Sequence, residues 1–274
     1  VSATGAPLYE VLRDAIRAES PVALATVVSG PAGRVGAKLL VRPGAEALGT
    51  LGHPDLDRVV ARDALAELEA GRSGMRHYGA EGQTIAEETD AVERLDVFVE
   101  SWAPPPQMVI FGAVDFTAAL AKVAKVLGYR VTVCDAREVF ATRRRFPMAD
   151  EVVAEWPQRL LERIGPSLTA RDAVCILTHD AKFDVPAVQG ALASQVGYIG
   201  VMGSRKTHAK RLERLAEVGV TAPEDLARLM SPIGLDIGAR TPEETAVSIC
   251  AEIIARRTGR TAGRPLRETS GPIH

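Results

Sequence analysis

Several stretches of this 274-residue sequence collect residue types that bind anions, hold sugar hydroxyls or move protons. The densest is GSRKTH, in which Gly203 and Ser204 lead into a helical pattern and Arg205, Lys206 and His208 add positive charge. Cations in a first helical turn oppose the helix dipole unless an anion binds there, so glycine, hydroxyl and arginine at this position read as an anion site. The loop SPIGLDIGART (231–241) places Asp236, which looks buried, and Arg240 beside another helix start. In FGAVDF (111–116), Gly112 supplies the turn that a dinucleotide fingerprint needs. Val114 stands where a second glycine would admit a pyrophosphate, and Asp115 suits a helix cap but repels an anion. Asp135, with Arg137 beside it, ends the next apolar run, the place of a carboxylate that holds ribose hydroxyls. THD (178–180) with Asp184 offers His179, Asp180 and Asp184 as metal ligands, as a proton relay, or as satisfied structural groups; the spacing favours no metal. Finally, GRVGAK (33–38) carries Arg34 and Lys38 among small residues, either an anion cradle or a glycine hairpin turn.

The elements that must position these residues differ between the two halves. In the second half, short apolar strands at 108–112, 130–135, 151–154, 173–178 and 197–203 alternate with helical segments at 115–127, 157–164, 184–195 and 207–218. That rhythm predicts a Rossmann-like α/β domain with a parallel sheet covered on both faces, whose ligands sit at the strands' carboxyl ends. Its last helix is marked by Thr241 as N-cap, Pro242 at the first position and Glu244 completing a capping box. The first half has a helix at 7–18, strands at 22–28, 37–41, 75–79 and 94–100, and a helix at 55–70, a smaller α+β unit with hairpin-like strand order. Between its last two strands, EGQTIAEETDAVE reads as an acidic exposed loop. Three prolines in SWAPPPQ (101–107) make a stiff spacer, so the expected division is 1–103, 104–258 and a tail, 259–274, with too little apolar content to be ordered.

Composition narrows the classes. Hydrophobic residues at 46% suffice for real cores, and a formal charge of −2 gives no general attraction to nucleic acid or an anionic membrane, so neither partner is expected. Cys134, Cys175 and Cys250 each lie in an apolar run with no C-x-x-C spacing, which reads as buried structural thiols. No apolar run approaches a membrane span and the first residues are unlike a signal peptide, so a cytoplasmic protein is expected.

Five longer stretches carry a resemblance: ATVVSGPAGRVGAKLLV, GYRVTVCDAREVFATRRRFPMADEVV, THDAKFDVPAV, YIGVMGSRKTH and SPIGLDIGARTPEETAVSICAEI. Over about residues 21–256 the chain resembles the xanthine dehydrogenase and carbon monoxide dehydrogenase accessory proteins of the XdhC/CoxI type. That resemblance implies a chaperone that binds the molybdenum–pterin cofactor, protects it while its sulfido ligand is installed, and hands it to an apo molybdenum hydroxylase. It also implies a homodimer and a sulfurtransferase partner. Two segments depart from the family's pattern. Its G-G-G-C-x-E run reads here Gly52, His53, Pro54, Asp55, Leu56, Asp57, with Asp55 in the cysteine's place, and its G-A-G-H turn reads Gly112, Ala113, Val114, Asp115. Asp55 is a hard oxygen ligand, so thiol chemistry is not expected from this segment and a helix cap is. Two other readings stand beside the chaperone: an NAD(P)-dependent oxidoreductase, which Val114 disfavours, and a ligand-free paralogue acting as a binding partner.

Overall fold

The computed structural model describes residues 5–31, 33–84, 94–178 and 180–259. His179, most of the acidic 81–93 segment and the tail beyond Gly259 lie outside them. The chain divides after Pro104 into two compact units.

The first unit is built on an antiparallel sheet. Its elements are α1 (Gly5–Arg17), β1 (Val22–Ser29), β2 (Lys38–Val41), β3 (Leu48–Thr50), α2 (Pro54–Ala70), β4 (Gly74–Tyr78) and β5 (Leu95–Trp102), with strand order β3-β2-β1-β5-β4. Strand β1 opens on four buried apolar residues, Val22 to Ala25, because both of its faces are covered there. Ala23, Ala25 and Val27 pack into the core beneath α2 with Leu56, Val60 and Ala64, while Val22 and Leu24 pack with Leu8 and Ala15 of α1. Helix α2 starts on His53, whose Nδ1 accepts from the Asp55 amide at 3.3 Å, and Pro54 fills the position where no N–H is needed. The cap expected of Asp55 is therefore His53's; Asp55 is the second residue of the helix, paired with Arg58 at the surface. It is Asp57 that ties the helix to β3, accepting from the Leu51 amide at 2.6 Å and the Thr50 hydroxyl at 2.7 Å.

The second unit holds a six-stranded, wholly parallel sheet. Its elements are β6 (Gln107–Phe111), α3 (Asp115–Val126), β7 (Arg130–Cys134), β8 (Glu151–Val153), α4 (Pro157–Ile164), β9 (Ala173–Ile176), α5 (Ala181–Leu192), β10 (Tyr198–Val201), α6 (Arg205–Glu217), the single turn α7 (Pro223–Leu226), β11 (Leu229–Met230) and α8 (Pro242–Arg257). The strand order β11-β10-β9-β6-β7-β8 has the doubly wound dinucleotide-fold pattern, with its topological reversal between β6 and β9. Side chains alternate across β6: Met108 and Ile110 face the core shared with α3 and α8, Val109 and Phe111 face the core under α4, α5 and α6. Each such fully buried side chain stabilises the unit by roughly 1.5–3 kcal/mol, which is why these strands read as unbroken apolar runs. The capping box of α8 is present as expected, with Thr241 and Glu244 bonded to each other's backbone amides. Two helices begin earlier than their apolar periodicity suggested, α5 at Ala181 and α6 at Arg205, because Asp180 and Ser204 cap them.

Candidate functional site

Because all six strands run the same way, the turns that follow them gather along one edge of the sheet, and three long helices, α3, α5 and α6, start there. At the reversal, Gly112 has φ +107° and a Cβ on it would stand 2.9 Å from the Thr178 amide nitrogen. The backbone beside it is by itself enough to require glycine here. Helix α3 then begins without a side-chain cap: Val114 is the N-cap, and Asp115, expected to cap it, occupies the first helical position with its carboxylate 92% exposed. Thr117 closes the turn by donating its hydroxyl to the Gly112 carbonyl.

Asp135 lies 5% exposed at the end of β7 with both oxygens engaged. Oδ2 accepts from the Ala113 amide at 2.8 Å and from Arg137 Nη2 at 2.8 Å; Oδ1 accepts from the Arg137 amide at 3.0 Å and Nε at 2.9 Å. Burial pushes its pKa up, but the Arg137 guanidinium and the two amides outweigh it, and the carboxyl sits below its ordinary range. The structure thus brings Gly112, Asp135 and Arg137 together as a clamp on the first turn. Gly112 and Asp135 line, with Cys134, Pro157, Thr178 and Phe183, a cleft with a volume of about 10 Å³, room for a single water. Phe183 closes it, backed by Trp156 at 5.0 Å between ring centroids.

Of the THD group, Asp180 caps α5 by accepting from the Lys182 amide at 3.1 Å. Asp184 is buried and bound to a residue that sequence reasoning passed over. Arg211 of α6, 1% exposed, gives Nε to both Asp184 oxygens at 2.9 and 3.0 Å, Nη1 to the Ser231 hydroxyl and Nη2 to the Met202 carbonyl. Its one sequence signal is that it stands four residues before Leu215, on the stripe of α6 that faces the core. Among the described residues no cluster of three or more His, Cys, Asp or Glu could hold a metal ion.

Beside this ion pair lies the start of α6. Ser204 Oγ accepts from the Thr207 amide at 3.1 Å, which leaves the amides of Arg205 and Lys206 pointing out of the helix end. Arg205 is exposed, with no ion pair among the described residues. His208 is disfavoured as the positive charge its sequence position promised: burial and the Arg211 guanidinium hold its pKa below the ordinary value, with Asp184 offsetting only part. Its Nδ1 is buried and has no hydrogen-bond partner among the described residues. Asp236, read as buried, is exposed, and Arg240 is exposed with its amide bound to Glu244.

In the first unit, the 33–38 loop is closed by its own bonds. The amides of Arg34, Gly36 and Ala37 go to backbone carbonyls, Arg34 Nη1 donates to the Ala80 carbonyl at 3.1 Å, and Lys38 Nζ donates to Thr26 at 3.0 Å. Arg34 also lies against Gly52, so this loop and the 52–57 turn are neighbours. All three cysteines are free and buried. Burial pushes Cys134 up to about 12 and Cys250 to about 11, and raises Cys175 well above its ordinary value. None presents a thiolate at neutral pH.

Sheet order, helix starts and the clamped glycine turn define a Rossmann-type domain carrying a separate antiparallel unit ahead of it. The family described as the XdhC Rossmann domain matches residues 108–253, and that described as the XdhC and CoxI family matches residues 15–79. The chain belongs to the XdhC/CoxI family. Its curated relatives include a probable xanthine dehydrogenase subunit from Bacillus subtilis (strain 168), 33% identical over 162 residues, spanning 59% of this chain and 46% of that protein. The molybdenum cofactor insertion chaperone PaoD of Escherichia coli (strain K12) is 34% identical over 85 residues, 31% of this chain and 26% of that one. The chain therefore spans less than half the length of either relative. In fold it is similar to the crystal structure of a xanthine dehydrogenase from Bacillus halodurans, with TM-score 0.53 and 21% identity over 94% of this chain and 98% of that one. No helix among the described residues is long and apolar enough to cross a membrane.

Proposed function

We propose that this chain serves the maturation of a molybdenum hydroxylase, holding the molybdenum–pterin cofactor as cargo and passing it to the apoenzyme. Membership of the XdhC/CoxI family, with a relative named as a cofactor insertion chaperone, is the observation that carries this reading. The chemistry of the donors in the second unit fits one end of that cargo. A phosphorylated pterin is anionic, and the uncapped amides of Arg205 and Lys206, with their exposed side chains, suit a phosphate. Gly203, Ser204, Arg205 and His208 are the residues assigned to it, with Asp236 and Arg240 on the adjoining loop. The other end finds no thiolate ligand, since every cysteine is buried with its pKa raised. Retention in this reading rests on contacts other than a cysteine thiolate.

The strand order favours a second reading, dinucleotide binding at Gly112 and Asp135. Against it stand the engaged oxygens of Asp135, the side chain of Val114 and a cleft that admits one water. One comparison separates the two. Protein mixed with molybdenum–pterin cofactor is passed through gel filtration and the co-eluting pterin is measured by fluorescence, with NAD titrated in parallel. The cofactor should co-elute, Arg205→Glu/Lys206→Glu should weaken retention at least about tenfold, as expected for removing a charge-assisted anion contact, and NAD should not saturate. Saturable NAD binding with no pterin retained would reverse the assignment.

A further inference from the structure

The connection between β7 and β8 is unusual for a parallel pair, which a helix ordinarily joins. Here residues 135–150 cross over as a chain of turns. The Phe140 and Ala141 amides bond the Arg137 carbonyl, and the Arg145 and Phe146 amides bond that of Thr142. Arg143 binds the carbonyls of Ala149 and Asp150, Arg137 is fixed to buried Asp135, and Phe146 is buried beneath. Although the loop is tied down at so many points, it leaves Val139 77%, Met148 45% and Phe140 40% exposed. Arg137 and Arg145 lie against the Phe140 ring and Arg143 and Arg144 are exposed in the same segment; Asp135 pairs with Arg137 and Asp115 lies 4.0 Å from Arg145, and within residues 136–148 four arginines stand against the single acid Glu138. A fixed segment that exposes apolar side chains inside a cationic ring has the make-up of an interface, with apolar anchors and a polar rim.

We infer that residues 137–148 form a docking surface for an acidic protein surface bearing an apolar projection. Charge complementarity selects acidic partners, and Val139 and Met148 supply the apolar contact. Two polyanions fit less well. Nucleic acid would need Phe140 to stack on a base, but its ring already carries the Arg137 and Arg145 guanidiniums, 4.5 and 5.5 Å from its centroid. A membrane would have to receive Phe140 together with Arg137, which the Asp135 pair holds at the sheet. The inference names a partner surface for the maturation role and rests on that reading only for the partner's identity; docking itself does not depend on it. Through Arg137 the surface also adjoins the clamp on the Ala113 amide.

The probe is a short labelled peptide alternating glutamate and leucine, followed by fluorescence anisotropy on the full chain. Saturable binding is expected. Val139→Asp/Arg144→Glu, which alters only exposed groups, should weaken it about tenfold or more, as loss of interface anchors does. Met148→Ser provides an independent variant, and an unchanged melting curve shows that each variant is folded. Polyglutamate of equal length should bind more weakly than the mixed peptide. The inference is overturned if the wild type does not bind the mixed peptide, if the double variant binds it equally well, or if the variants abolish binding of RNA or anionic vesicles instead. Pterin retention, measured on the same double variant, keeps the two readings apart. Retention without docking leaves the maturation role standing, and docking without retention by the wild type leaves this surface standing.

Discussion

Arg211→Ala should lower the stability of the second unit by about 3–5 kcal/mol, because it takes the cation of a buried pair away from the Asp184 carboxylate in a site that is 4% exposed. Spread over a unit of this size, such a loss corresponds to a fall in melting temperature of roughly 10 °C. The guanidinium joins α5, the end of β10 and the 231 loop through Asp184, Met202 and Ser231, so the effect is one of architecture and not of a surface ion pair. Arg211→Lys keeps the charge but not the fork and should fall between wild type and alanine. The double variant Arg211→Met/Asp184→Leu, which removes both charges, should recover much of the loss. Thermal and urea unfolding of the four proteins decides it. A single-variant loss below about 1 kcal/mol, the level of an exposed pair, would show that this ion pair is hydrated and weak.

Gly112→Ala should cost about 2–5 kcal/mol, combining a strained backbone with overpacking. At φ +107° an L side chain is disfavoured, and the added Cβ meets the Thr178 amide at 2.9 Å and the Leu177 carbonyl carbon at 3.2 Å. Neither can retreat, since the Leu177 amide bonds the Phe111 carbonyl and the Gly112 amide bonds that of Cys134. The effect should appear as lost stability in the absence of any ligand, measured by urea unfolding. Normal stability with lost ligand binding would mean that Gly112 is there for a ligand's approach after all.

These two residues show how unevenly the sequence exposed the molecule. The sheet was legible because strands buried on both faces are written as uninterrupted apolar runs, as in MVIF and AVCI, and α8 because Thr241, Pro242 and Glu244 all mark its start. The turn α7 and the two-residue strand β11 were not, being too short to carry any period. Gly112 was legible as a turn, yet its reason, the closeness of the β9 backbone, is a tertiary fact. Asp184 and Asp135 looked alike in sequence, as carboxylates at strand ends, and both prove to be bound by arginines. For Asp135 the partner stands two residues away; for Asp184 it is 27 residues distant, on a helix whose other charges face solvent, so nothing local distinguished Arg211 from its neighbours. The residue types of the proposed anion site at Gly203–His208 were legible, but the lowered pKa of His208 was not, because it depends on burial and on the Arg211 guanidinium.

Cargo held by this chain should reach an enzyme. The most direct measurement of that is the activity of an apo molybdenum hydroxylase given molybdenum–pterin cofactor at a limiting, equal concentration, with and without this protein. Faster and fuller activation is expected when the cofactor is delivered pre-bound to the wild type, with a clear loss of that advantage for Arg205→Glu/Lys206→Glu. Activation no better than with free cofactor, for a protein shown to be folded and loaded, would contradict the maturation role.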